Sequence, residues 1–206
     1  MNPEHKGAII GIIGNLGSGK STFAEMLRTP LHAEVLPEST DNNPFIGDAH
    51  GTTKRVFQNQ VWFLLQTVTR WEQAAHLAQK GNIAVMDTFS PTNLLHSKIT
   101  LDADSFILYE TLTDTLTRHL PPPDLVIYLH DTLDFLMDRL RKRNLPIDDE
   151  DAAYVGKMLV LHEDWINTAK FPAPILSIRS RELESSASVK VYIRQIQQLL
   201  SREKSD

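Results

Sequence analysis

Gly14-Asn15-Leu16-Gly17-Ser18-Gly19-Lys20-Ser21 fills every fixed position of the pattern G-x-x-x-x-G-K-[ST]. Its surroundings make it a constraint on the fold. Ala8 to Ile13 is a continuous apolar, β-branched-rich run, as expected of a strand buried on both faces. Ser21 to Arg28 reads as a helix stopped by Pro30. Strand, Gly-rich turn and helix in that order make a backbone cradle. Glycines let the chain curl until several N–H groups point at one anion, and the helix adds the positive end of its dipole. At average residue frequencies the pattern occurs by chance in roughly one chain per hundred of this length. Its placement between strand and helix is the context that phosphate binding requires.

Lys20 supplies a mobile cation to such a loop, and the Ser21 hydroxyl can ligate Mg²⁺. Gly14, Asn15, Leu16, Gly17, Ser18, Gly19, Lys20, Ser21 and Thr22 are therefore the expected site for the phosphates of a nucleoside triphosphate. ATP and Mg²⁺ are the expected cofactors.

Beyond the loop, apolar runs and helical patterns alternate. Ala33 to Leu36 reads as a short strand ending at Pro37, and Glu38 to Gly51 as a polar loop. Phe57 to Lys80 is the longest helical pattern, with Gly81 at its C-terminal stop. Ile83 to Met86 reads as a strand ending in Asp87, and Ser105 to His119 as a helix. Leu125 to Leu129 is a further strand, with Asp131 or Thr132 capping a helix through about Arg143. Glu150 to Thr168 is another helix, Pro174 to Ile178 a last strand, and Val189, Ile193, Ile196 and Leu200 line one face of a C-terminal helix. This alternation predicts a three-layer α/β fold around a parallel sheet, in one domain spanning residues 1–206.

Composition narrows the function. A net charge of −5 argues against affinity for nucleic acid through a basic surface. The absence of cysteine removes disulfides and thiolate metal sites. The N-terminus lacks the signature of a signal peptide, and the Ala8 to Ile13 run is too short to span a bilayer. No membrane partner and a cytoplasmic location are expected. No base-reading Asn-Lys-x-Asp motif of a GTPase occurs, and Asp48-Ala-His-Gly51 follows a polar loop rather than a strand. His32, His76, His96, His119, His130 and His162 show no convincing ligand spacing and are expected to be structural or exposed. Trp62, Trp71 and Trp165 are expected in the core or an interface.

Several segments, in order, resemble the deoxynucleoside kinases, particularly the bacterial deoxyadenosine/deoxycytidine kinase type. They are the phosphate loop, Leu36-Pro37-Glu38, Asn43-Pro44-Phe45, Phe57-Gln58-Asn59-Gln60-Val61-Trp62, Pro123-Asp124-Leu125-Val126-Ile127-Tyr128-Leu129, Arg139 to Arg143, and Glu163-Asp164-Trp165. The resemblance implies a P-loop kinase fold with a five-stranded sheet and a short helical lid near residues 139–150. It also implies ATP-dependent phosphorylation of a nucleoside 5′-hydroxyl, and a homodimer packed through helices such as Phe57 to Lys80 and Ser105 to His119. In such an enzyme Glu38 is the general base, Lys20, Arg139 and Arg143 stabilise the transferring group, and Ser21 and Asp87 hold Mg²⁺. Gln60 reads the base with its amide, and Asp87 and Asp148 complete the acceptor side.

The chain departs from that pattern at definite positions. The family's acidic-Arg-Ser motif is Asp87-Thr88-Phe89 here, which leaves no arginine at the position beside the glutamate. A base-contacting arginine falls on Thr67, with Arg70 expected to face elsewhere. Its acidic partner falls on Asn93, a tyrosine for the sugar 3′-hydroxyl on Ala49, and a third lid arginine on Leu145. Two other readings therefore stand beside the first. One is a kinase for a different small molecule or a nucleoside monophosphate, with Lys54 and Arg55 available as cations. The other is a nucleotide-binding partner subunit that has lost turnover.

Overall fold

The computed structural model describes residues 7–45, 55–143, 148–168 and 171–202. Five strands carry the frame: β1 (Ala8–Gly14), β2 (Ala33–Leu36), β3 (Ile83–Met86), β4 (Leu125–His130) and β5 (Ile175–Arg179). They form one parallel sheet in the order β2-β3-β1-β4-β5. The helices are α1 (Lys20–Leu31), α2 (Val56–Gln79), α3 (Ser90–Thr100), α4 (Ala103–Thr117), α5 (Leu133–Arg141), α6 (Asp149–Thr168) and α7 (Ser186–Arg202), with a 3₁₀ turn over Ser180–Glu184. No helix among the described residues is long and apolar enough to cross a membrane.

The unbroken apolar strands follow from burial on both faces, and the two-residue period sorts their side chains. Ile10 and Ile12 of β1 join Leu125, Ile127 and Leu129 of β4 against Phe23 and Leu27 of α1 and Ile196 of α7. Ile9 and Ile13 join Val126 and Tyr128 on the opposite face, against Trp71, Ala74 and Ala75 of α2 and Phe89. Ile10, Ile12 and Ile13 are fully buried. Truncating any one of them to Ala costs about 2–5 kcal/mol.

Two helices differ from expectation. α1 does not stop before Pro30 but carries it inside the last turn, ending at His32 in the left-handed region (φ 49°). Proline's fixed φ is compatible with helix, and this close to the end it forfeits one backbone bond while the next residue, Leu31, still reaches the core. α3, wholly unexpected, has Pro91 in its first turn and buries Ser90, Thr92, Asn93 and Ser97. Its buried face is mostly polar, with Leu95 and Pro91 the apolar residues on it, so it shows no apolar stripe.

The sheet order places a topological switch at the C-terminal end of β1, since the chain runs to β2 and β3 on one side and then to β4 and β5 on the other. Open α/β sheets bind ligands in the crevice at that point. Here the ends of β1, β2 and β3 deliver the phosphate loop, Glu38 and Asp87 respectively. Asp87 N donates to Leu36 O at 3.1 Å and Phe89 N to Ile12 O at 2.8 Å, which locks the three strand ends together.

Candidate active site

The loop from Gly14 to Gly19 has the curled backbone its glycines suggest. Gly17 sits at φ 76°, and a Cβ there would lie 2.8 Å from Leu136 O. A side chain at Gly14 would lie 2.4 Å from Leu129 O. Asn15 is buried, and its Nδ2 donates to Val155 O of α6 at 2.8 Å while its Oδ1 accepts from Leu16 N. The loop is thereby tied to α6. Lys20 Nζ donates to Gly14 O (2.9 Å) and Asn15 O (3.1 Å). Burial pushes its ammonium below the ordinary lysine value, and the Glu38 and Asp87 carboxylates oppose that shift. Ser18 Oγ is buried without a partner among the described residues, whereas Ser21 and Thr22 face solvent.

Arg139 lies against the loop, its Nη2 3.1 Å from where a Gly19 Cβ would stand, and its guanidinium covers the Phe135 ring. It shares a hollow of about 210 Å³ with Ser18, Thr22 and Glu184. Arg143 lies two residues past the end of α5, with its N–H bonded to Leu140 O at 3.1 Å, so the helix stops short of the residue to which the sequence extends it. Arg143 is still near enough to Lys20 to depress its pKa.

A second cavity, about 250 Å³, opens between the loop and α2, α3 and α6. Lys20, Glu38 and Thr88 line it together with Gln60, Asn93 and His96. Gln60 is buried and held in one orientation, since Ser97 Oγ donates to its Oε1 at 3.1 Å and its Nε2 donates to Thr100 Oγ1 at 3.2 Å. Its remaining amide donor and acceptor capacity is free for a ligand. Asn43 Nδ2 donates to Asn59 Oδ1 at 2.8 Å and anchors the loop after Glu38 onto α2.

Glu38 is held from two sides. Thr88 Oγ1 donates to its Oε2 at 3.1 Å, and Arg70 Nη2 lies 3.8 Å from its Oε1. Arg70 therefore faces the strand ends, contrary to the direction expected of it from α2. Asp87 is buried, and its Oδ1 has no hydrogen-bond partner among the described residues. A buried, unpartnered carboxylate oxygen beside the phosphate loop suits a hard cation such as Mg²⁺.

Other expectations divide. Asp148 is exposed, exchanges backbone-to-carboxylate bonds with Asp151 at the start of α6, and is not among the described residues lining the cavity. Ala49, the Asp48 to Gly51 segment, Lys54 and Leu145 lie outside the described residues, as does the middle of the expected lid. His96, expected to be structural or exposed, lines the cavity instead. Its Nδ1 shares a short hydrogen bond with the Tyr154 hydroxyl, and the two rings stack. Burial drops His96 to a pKa of about 3, with Lys20 and His162 adding to the shift, so it is neutral at ordinary pH. No local motif announces this pair, because it joins α3 to α6 across 58 positions of sequence.

Residues 10–201 match the family described as deoxynucleoside kinase. The chain is 26% identical over 172 residues to a deoxyguanosine kinase of Bacillus subtilis (strain 168), covering 82% of this chain and 83% of that one. It is 26% identical over 196 residues to the deoxyadenosine/deoxycytidine kinase of the same organism, covering 89% and 88%. A deoxyadenosine kinase of Lactobacillus acidophilus is 27% identical over 175 residues, covering 76% and 79%. Among solved structures, deoxyadenosine kinase from M. mycoides with the products dCMP and a flexible dCDP superposes with a TM-score of 0.74, at 22% identity over 94% of this chain and 99% of that one. The same enzyme with bound dATP gives 0.75 at 20% identity, covering 92% and 99%. The fold is shared with these structures. The match across nearly the whole chain makes it a member of the deoxynucleoside kinase family, and with that family a phosphotransferase.

Proposed function

We propose that this chain transfers the γ-phosphoryl group of ATP to the 5′-hydroxyl of a deoxynucleoside seated in the cavity beside Glu38. One observation carries the reading: Glu38 and Lys20 of the phosphate loop's helix line one cavity, which also presents the oriented amide of Gln60. A hydroxyl lodged between them has a carboxylate to accept its proton and an adjacent phosphate cradle as its target.

The remaining roles follow from position. Backbone N–H groups of Gly14 to Thr22 bind the β- and γ-phosphates, and Lys20, Arg139 and Arg143 offset the charge of the transferring group. Ser21 and Asp87 are the residues that would hold Mg²⁺, which would supply positive charge to offset that of the phosphates. Gln60 orients the acceptor. Lys20 is the one cation among the described lining residues of the cavity. That lining favours a neutral nucleoside over a monophosphate acceptor. The similarity to kinases named for deoxyguanosine, deoxyadenosine and deoxycytidine supports a deoxynucleoside. A homodimer through α2 and α4 fits Leu65, Ile107 and Leu108, which these helices leave exposed.

The test is transfer of label from γ-labelled MgATP to a panel of deoxynucleosides, ribonucleosides and their monophosphates. The expected product is a labelled deoxynucleoside 5′-monophosphate. Label appearing only in diphosphates, or in no acceptor despite tight ATP binding, would contradict the proposal.

A further inference from the structure

We propose that Arg70 is a positioning residue for this phosphoryl transfer, supplying from α2 the cation that fixes Glu38 and the end of β3. This rests on the reading above, in which Glu38 takes the hydroxyl proton. Position 88, next to Glu38, holds a threonine, which provides a donor but no charge. Arg70 reaches the same carboxylate from the other side.

Three hydrogen bonds direct its planar fork. Nη1 donates to Asp87 O at 2.6 Å, Nη2 to Thr67 Oγ1 at 3.0 Å, and Nε to Gln66 O at 3.3 Å. With those bonds made, Nη2 stands 3.8 Å from Glu38 Oε1, an ion-pair distance rather than a hydrogen bond. The Arg70 side chain is only 11% exposed and that of Glu38 28%, so the pair is weakly screened. Catalytic contacts are commonly long until the substrate is bound. One guanidinium thus joins the strand end carrying Asp87 to the carboxylate following β2.

The same network reaches the acceptor. Thr67 Oγ1 also accepts from Asn93 Nδ2 at 2.7 Å, and Asn93 lines the cavity. A group bound against Asn93 is therefore connected through Thr67 and Arg70 to Glu38. An ammonium cannot reproduce this geometry, because lysine is a point charge without a planar fork.

The experiment is a double-mutant cycle in kcat at saturating MgATP and acceptor, with Arg70→Gln, Glu38→Gln and both together. Arg70→Gln is expected to lower kcat on the order of 100-fold with the KM for ATP within about 3-fold. In the Glu38→Gln background the same change is expected to cost less than about 3-fold, since Arg70 acts through Glu38. Unchanged kcat in Arg70→Gln, or losses that multiply in the double variant, would overturn the proposal. If Arg70→Gln does not fold, Arg70→Lys decides: a folded variant with kcat lowered about 10-fold or more supports the role, and full kcat removes it. Absence of turnover by the unsubstituted protein with every acceptor would instead sink the kinase reading on which this depends.

Discussion

Thr88 donates its hydroxyl to Glu38 Oε2 at 3.1 Å while its own backbone is held at φ 67°. A β-branched residue in the left-handed region is a steric outlier, and such strain costs on the order of 1–3 kcal/mol. The relationship ties a strained backbone to the orientation of the proposed base. Replacing Thr88 by Val keeps the shape and the strain but removes the donor. Loss of one hydrogen bond to a charged group, about 1.5 kcal/mol, predicts a kcat lowered roughly 10-fold. Steady-state kinetics beside a thermal melt would check this, and an unchanged kcat would separate Thr88 from the chemistry.

The tie from Asn15 to α6 predicts a different kinetic signature. Asn15→Ala removes the 2.8 Å bond to Val155 O and the side-chain acceptor of Leu16 N. The phosphate loop is then less preorganised. The KM for ATP is expected to rise about 10-fold, the worth of roughly one buried hydrogen bond, while kcat stays within about 3-fold.

Two histidines give the fold a pH dependence. Burial holds His96 at a pKa of about 3 and His162 at about 4. His162 Nδ1–H donates to Met158 O at 2.8 Å, leaving Nε2 buried and without a partner among the described residues. Unfolded histidines take up protons below about pH 6.5, whereas these two stay neutral until about pH 4 or lower. Their contribution to stability is complete above pH 6.5 and falls as the pH drops. Urea unfolding at pH 7 and pH 5 should differ by up to about 4 kcal/mol, at about 1.4 kcal/mol per pH unit per histidine. His162→Gln should remove about half of that difference. Stability that does not change between pH 7 and pH 5 would contradict the buried, neutral state.

Tyr154 and His96 form one wall of the acceptor cavity. Tyr154→Phe keeps the ring and its stacking but frees the His96 ring. An acceptor KM raised about 5-fold, equivalent to one neutral hydrogen bond, is expected with the KM for ATP unaffected. Equal effects on both substrates would place the pair outside acceptor recognition.

What the sequence discloses depends on which physical signal carries it. Ile9, Ile10, Ile12 and Ile13 form a run that only a doubly covered strand needs, and Gly17 and Gly19 mark backbone that other residues resist. Sheet and phosphate loop were legible for those reasons. α3 was not, because Thr92, Asn93 and Ser97 turn a polar face inward. Nor were Arg70 and His96, since their contacts with Glu38 and Tyr154 come from tertiary packing that spacing does not encode. Position 88 illustrates the limit: its missing arginine is visible in the sequence, while the guanidinium arriving from α2 is visible only in the fold.

In the proposed reaction Glu38 takes the proton of a deoxynucleoside 5′-hydroxyl as ATP is cleaved. The most direct measurement is kcat for the unsubstituted protein and for Glu38→Gln with the best deoxynucleoside acceptor and saturating MgATP. General-base loss predicts a fall in kcat of about 10²–10⁴-fold, with both proteins binding ATP alike. Acceptor phosphorylation by Glu38→Gln at the unsubstituted rate would remove Glu38 as the base.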